Sequence, residues 1–153
     1  KIKAMVSLTK GEGYGRPLLE FTSTDKPIIV SNWSGHMDFL QKQNTALVKG
    51  KLENVHPTAA VQNMILQESQ WFSPNPADIG FNINNVFEDY KSWVKKAKRQ
   101  GNHSRKNFSF EVMKNQIKDI MDNDVTKVPK KMELKLPSMS KIKMPKKPKL
   151  KKV

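Results

Sequence analysis

Four pieces follow one another within the first 31 residues: Met5-Val-Ser-Leu-Thr9, the glycine-rich Lys10-Gly-Glu-Gly-Tyr-Gly15, an apolar helix-like stretch, and the unbroken run Ile28-Ile-Val-Ser31. A short β-branched run that enters glycines reads as a buried strand passing into a loop. Pro17 suits the first turn of a helix, where its missing N–H leaves no bond unmade. Leu18, Leu19 and Phe21 give that helix an inner face, and it is expected to end near Asp25, before Lys26-Pro27. A strand apolar at every position is the pattern of a parallel strand covered on both faces. Strand, glycine loop, helix and strand make a βαβ unit. The fold class predicted from it is α/β, a Rossmann-like parallel sheet flanked by helices.

The remaining pattern extends this scheme. Asn32-Trp-Ser-Gly35 reads as a turn after the second strand, Met37 to Leu40 as a helical turn, and Thr45-Ala-Leu-Val48 and Gly50-Lys-Leu52 as short extended pieces. Helical spacing of Met64, Ile65 and Glu68 predicts a helix between Val61 and Gln70, broken off by Ser73-Pro-Asn-Pro76. From Ala77 to about Arg99 the residues Ile79, Ile83, Val86, Phe87, Tyr90, Trp93, Val94 and Ala97 recur at three- and four-residue steps, the stripe of one amphipathic helix. Gly101-Asn102 reads as its stop. A last helix is expected to start with Ser109 as N-cap, to carry Val112, Met113, Gln116, Ile117 and Ile120 along one side, and to end near Asn123. Trp33, Trp71 and Trp93, with Phe87 and Tyr90, are expected to pack in the core or between helices.

Charge divides the chain. The formal net charge is +14, and residues 124–153 hold 11 lysines against Asp124 and Glu133 alone, so +9 belongs to that segment. Its Val128-Pro-Lys-Lys and Met144-Pro-Lys-Lys-Pro pieces exclude regular helix, which predicts a flexible tail behind a domain of residues 1–123. With Lys91, Lys95, Lys96, Lys98, Arg99, Arg105 and Lys106 the tail offers a polyanion surface, for an anionic membrane or for nucleic acid. There is no cysteine, and His36, His56 and His103 stand too far apart for a zinc cluster, so no metal is expected. No apolar run approaches the roughly 20 residues that span a bilayer, and no signal peptide opens the chain. The expectation is a soluble, cytoplasmic protein, peripheral at a membrane surface if the tail engages one. The chain opens on Lys1 and runs straight into apolar residues, which predicts a segment upstream of it.

The chemistry is concentrated in Glu12-Gly-Tyr-Gly-Arg-Pro-Leu-Leu-Glu20. A loop carboxylate accepts hydrogen bonds from sugar hydroxyls, and one on the following helix grips a ribose diol through both oxygens. Gly13 and Gly15 leave amides open at a helix start, a setting that suits a pyrophosphate. Ligands of an open parallel sheet bind outside the carboxyl ends of its strands, where both the Gly11–Gly15 loop and the Asn32–Gly35 loop are expected. Glu12 and Glu20 are thus expected to face one cleft. Arg16 either meets a phosphate or lies on the helix surface; Asn32, Ser34 and His36 are further candidates after the second strand.

The run Val6 to Glu20, followed by Lys26-Pro-Ile-Ile-Val-Ser-Asn-Trp-Ser-Gly35 and Asp38-Phe39, resembles the carboxyl-terminal, donor-binding domain of retaining glycosyltransferases of the GT-B architecture, the glycosyl transferases group 1 type. Looser likeness continues through Ser69–Asp78, Val86–Tyr90 and Asn107–Glu111. The resemblance implies that Glu12 is the first motif glutamate, beside the donor sugar and catalytic, and that Glu20 holds the ribose. It implies donor binding by Gly13, Tyr14, Gly15, Arg16, Leu19 and Glu20. The substrate is then a nucleotide-diphosphate sugar, with no further cofactor. Two departures stand out: Thr24-Asp25 occupies the place of a small residue followed by Gly, and Asp38 that of a Glu. In the family the acceptor site and the Arg and Lys of the diphosphate clamp precede the motif, in an amino-terminal domain. The chain alone is therefore expected to bind donor weakly and to turn nothing over. The rival expectation from another class is a non-catalytic basic adaptor or virion-associated protein that binds nucleic acid through the tail.

Overall fold

The computed structural model describes residues 2–61 and 64–124. β1 (Met5–Ser7), α1 (Arg16–Thr22), β2 (Ile28–Ser31) and β3 (Ala46–Val48) build a three-stranded parallel sheet in the order β1-β2-β3. Its register sets Met5 opposite Ile28 and Val30 opposite Leu47. Alternate residues of β2 therefore serve opposite faces. Ile28 and Val30 pack with Leu18 of α1 and with Phe39 and Leu40, flanked by Met5 and Leu47. Ile29 joins Ala46, Val48, Val86 and Trp93 on the other face. All four residues of β2 are buried. This is why its sequence is continuously apolar, with Ser31 satisfied by donating its hydroxyl to the Thr9 carbonyl at 3.0 Å. Complete burial of Val30 and Val48 stabilises the sheet by about 1.5–3 kcal/mol each.

The covering layers come from three helices. α1 begins with Pro17 in its first turn, as its sequence demands, and lies on one face. α2 (Pro76–Glu88) and α3 (Tyr90–Asn107) supply Val86, Trp93 and Ala97. β4 (Gly50–Asn54) and β5 (Gln70–Pro74) form a separate antiparallel pair, with Leu52 opposite Phe72. α4 (Phe110–Asn123) starts after Ser109, whose hydroxyl accepts from the Val112 amide at 3.4 Å. Contacts group Lys1–Asn115 into one compact unit, and α4 runs on beyond it to Asn123. The expected lysine-rich tail lies outside the described residues. Among those, no helix is long and apolar enough to cross a membrane.

Three sequence expectations are corrected. Among the described residues between Val61 and Gln70 there is no helix; instead Val61 and Ile65 each donate an amide to the other's carbonyl. β5 must return antiparallel to β4, and Val61, Met64, Ile65 and Leu66 are all exposed; a helix there would have no surface on which to bury its apolar face. The predicted helix from Ala77 to Arg99 is two helices that meet at Asp89 (φ −110°, ψ 45°). The three- and four-residue spacing survives the corner because Val86 and Trp93 pack against the same sheet face, although Ile83 and Phe87 point outward and are exposed. Gly101 stops nothing. It is buried in mid-α3, where a Cβ would meet the Thr22 carbonyl oxygen at 2.8 Å and collide with the Asp25 carboxylate. Its role is the close approach of α3 to α1.

The aromatic residues divide as well. Trp93 is core, but Trp33 is 42% exposed and lies parallel to the Phe72 ring, with centroids 6.2 Å apart. Trp71 is half-buried and carries the Lys10 ammonium over its ring at 3.5 Å.

Candidate functional site

The loops that leave β1 and β2 are locked to each other. Ser34 adopts φ 85°, ψ −171°, a backbone region that belongs almost entirely to glycine. Its hydroxyl accepts from the Glu12 amide at 2.7 Å and donates to the Glu12 carbonyl. The same carbonyl accepts from the Gly35 amide at 3.1 Å. Gly35 lies so close beneath Gly13 that any Cβ on it would strike the Gly13 carbonyl. Gly15, at φ 82°, closes the loop and begins α1 against the Cβ of His36. Strain at Ser34 and two indispensable glycines therefore set the course of residues 12–15.

His36 braces this arrangement from below. Its ring is fully buried and its Nε2 lies 2.7 Å from the Ser31 carbonyl. That carbonyl can only accept, so Nε2 carries a proton. Nδ1 has no partner among the described residues. Asn32 is exposed. Ser34 is spent on the Glu12 backbone. None of the three candidates after β2 lines the neighbouring cleft.

That cleft, of about 490 Å³, opens between α1 and the corner where α3 passes into α4. Tyr14, Arg16, Leu19 and Glu20 line one side. Ser104, Arg105, Phe108 and Met113 line the other. Tyr14 rests on Phe39 with centroids 5.3 Å apart, and Phe39 touches Phe108 edge-on at 6.1 Å, so one buried ring carries an aromatic from each wall. Glu12, Gly13 and Gly15 are not in the lining; of the two expected carboxylates only Glu20 is. Glu20 receives the Arg16 Nε at 2.8 Å, and both side chains are largely exposed. Such a pair is held by well under about 1 kcal/mol and is easily exchanged for a ligand. α1 has only seven residues, so the contribution of its dipole at this end is small.

The far wall was invisible to sequence reasoning, because the residues it uses sit more than eighty positions from the motif. Arg105 donates to the Asp25 carboxylate at 3.0 Å and to the Ser23 carbonyl at 3.2 Å, fastening α3 to the end of α1. Asp25 stands at φ 55°, in the left-handed region that Asp enters more readily than most residues. Its backbone is thus one that Gly adopts without strain. Asp38, the other departure, is exposed in the turn after β2.

A second, smaller hollow of about 390 Å³ lies by the β4–β5 pair, lined by Lys49, Lys51, Glu53, Ser73 and Asn75. Lys51 binds Glu53 at 2.8 Å. The Lys51 hydrogen bond, then that of Ser73, holds the Glu53 carboxyl below the usual range. No cluster of His, Asp or Glu suited to a metal occurs among the described residues.

Taken together, these features define an α/β protein with a parallel sheet, two interlocked loops at its carboxyl edge and an open amphipathic cleft beside them. No protein-family model, curated protein or solved structure matches the chain.

Proposed function

We propose that the chain is the donor-binding half of a retaining glycosyltransferase, with a Rossmann-like sheet of the GT-B type, and that the cleft beside α1 receives a nucleotide-diphosphate sugar. One observation carries this reading: Tyr14, Arg16, Leu19 and Glu20, four residues of the run that resembles the family motif, share a single cleft. In it, Glu20 accepts both hydroxyls of the ribose, displacing Arg16, which is then free to meet a phosphate. Tyr14 and Phe108 give the base an aromatic and apolar seat. The sugar extends from Tyr14 along the backbone of Gly13 towards Glu12, which orients it.

On this reading acceptor binding and the diphosphate clamp belong to another domain of the same protein, so the isolated chain binds donor weakly at most and transfers nothing. Isothermal titration with uridine, guanosine and adenosine diphosphates and their sugar derivatives tests the reading. Saturable binding of one nucleotide class, with amide shifts at Tyr14 to Glu20 in nuclear magnetic resonance spectra, is the expected result. Binding that is indifferent to the nucleoside, falls steeply with salt and leaves those amides unmoved would replace this reading with the nucleic-acid adaptor.

A further inference from the structure

α4 has no buried residue along its whole length. Phe110, Ile117, Ile120 and Met121 are 78%, 59%, 55% and 52% exposed. At about 100° per residue they fall within a band roughly 100° wide, while Glu111, Asn115, Asp119 and Asn123 take the other side. Lys114 and Lys118 run along one border of the band. Leaving such a stripe in water forgoes the main gain that an amphipathic helix makes. Residues 125–153, which continue directly from it, hold 11 lysines against Glu133 alone.

We propose that α4 is a lipid-docking helix, lying in the surface of an anionic bilayer with Phe110, Ile117, Ile120 and Met121 in the acyl boundary and Lys114 and Lys118 at the lipid phosphates. The net positive charge of the sequence that follows adds to the attraction. An apolar band and an adjoining cationic segment are the two weak signals that together hold a protein at such a surface. A second copy of the chain fits the band less well. A helix of 14 residues, about 21 Å long, covers less area than a stable dimer interface of roughly 1,200 Å² or more. Two such strongly cationic segments brought together also repel. A nucleic acid would engage the lysines but leave the apolar band uncovered.

The chain has no cysteine, so Ile117→Cys and Asp119→Cys each give one attachment point for an environment-sensitive dye on the full chain. With phosphatidylcholine vesicles containing phosphatidylserine, the dye at position 117 should shift to the blue while that at 119, on the polar side, stays unchanged. Vesicles of phosphatidylcholine alone should move neither. In co-sedimentation, Ile117→Gln/Ile120→Gln, which keeps charge and helix propensity, should lower binding to the anionic vesicles at least about tenfold. Equal shifts at both positions, no shift at either, or undiminished sedimentation of the double variant overturns the proposal. So does a single-stranded RNA that reproduces the shift at 117.

Discussion

The hydroxyl of Ser34 makes a two-way hydrogen bond with the backbone of Glu12, accepting from its amide at 2.7 Å and donating to its carbonyl. Ser34 holds φ 85° to do so, at a cost of about 1–3 kcal/mol. Ser34→Ala loses the hydrogen bonds and keeps the strain, whereas Ser34→Gly loses the same bonds and relieves it. Urea unfolding should therefore rank wild type above Ser34→Gly, and Ser34→Gly above Ser34→Ala by about 1 kcal/mol or more. Equal stability of the two variants would mean that the backbone at 34 is not strained.

Gly35 and Gly13 face each other across the same lock, yet respond differently to a methyl group. Gly35→Ala drives a Cβ into the Gly13 carbonyl, while a Cβ at Gly13 meets nothing within 4 Å. Thermal unfolding should show Gly35→Ala destabilised by at least about 3 kcal/mol, with the cleft lost, and Gly13→Ala close to wild type.

Two helical glycines make a second contrast. Gly80, in α2, has open space around it; Gly101, in α3, touches α1. Alanine is the better helix former by about 1 kcal/mol, so Gly80→Ala should stabilise the fold by about 0.5–1 kcal/mol. Gly101→Ala should instead cost about 1–3 kcal/mol, because the Thr22 carbonyl and the Asp25–Arg105 pair must move. Denaturant midpoints measure both.

Within the proposed donor site, Glu20 and Glu12 separate by ligand. Glu20→Ala removes hydrogen bonds to ribose from a charged acceptor, about 1.5–3 kcal/mol, and should weaken binding of the nucleoside diphosphate and of its sugar derivative alike, by tenfold or more. Glu12→Ala should leave the diphosphate within about twofold and weaken the sugar derivative only. Titration calorimetry with both ligands reads the difference; identical effects of the two mutations would remove Glu12 from the sugar.

Glu53 is kept ionised by Lys51 and then by Ser73, so its carboxyl titrates below the usual glutamate value. A depressed folded-state value adds stability that is present above the ordinary glutamate range and lost as pH falls through the folded value. Carboxyl titration by nuclear magnetic resonance should place Glu53 low in the wild type, and Lys51→Met should return it towards the ordinary value. The exposure of both side chains makes the effect on overall stability small.

Local chemistry makes much of this fold readable in one dimension. The apolar run Ile28–Ser31 is a strand because every residue of it is covered, and Pro17 begins α1 because helix starts accept a residue without N–H. Ser109 before α4 is legible for the same kind of reason. Such features involve groups a few residues apart, and their partners lie within reach of sequence spacing.

What spacing could not reveal depends on surfaces brought together from afar. The periodicity from Ala77 to Arg99 is blind to a corner at Asp89, since both helices keep an apolar residue towards the same sheet face. Gly101 reads as a stop until α1 is seen against it, and Met64 and Ile65 read as helical until their surroundings prove to be water. Glu12 and Glu20 stand near each other in sequence, but only Glu20 lines the cleft, because Ser34 and Gly35 hold the backbone of Glu12 in the interlocked loops. By itself the sequence determined the βαβ unit, the order of the strands along the chain and the charge carried beyond residue 124. The tertiary structure alone decided where the cleft opens, because its far wall of Ser104, Arg105 and Phe108 comes from a helix whose place is set by packing and not by neighbours in the chain.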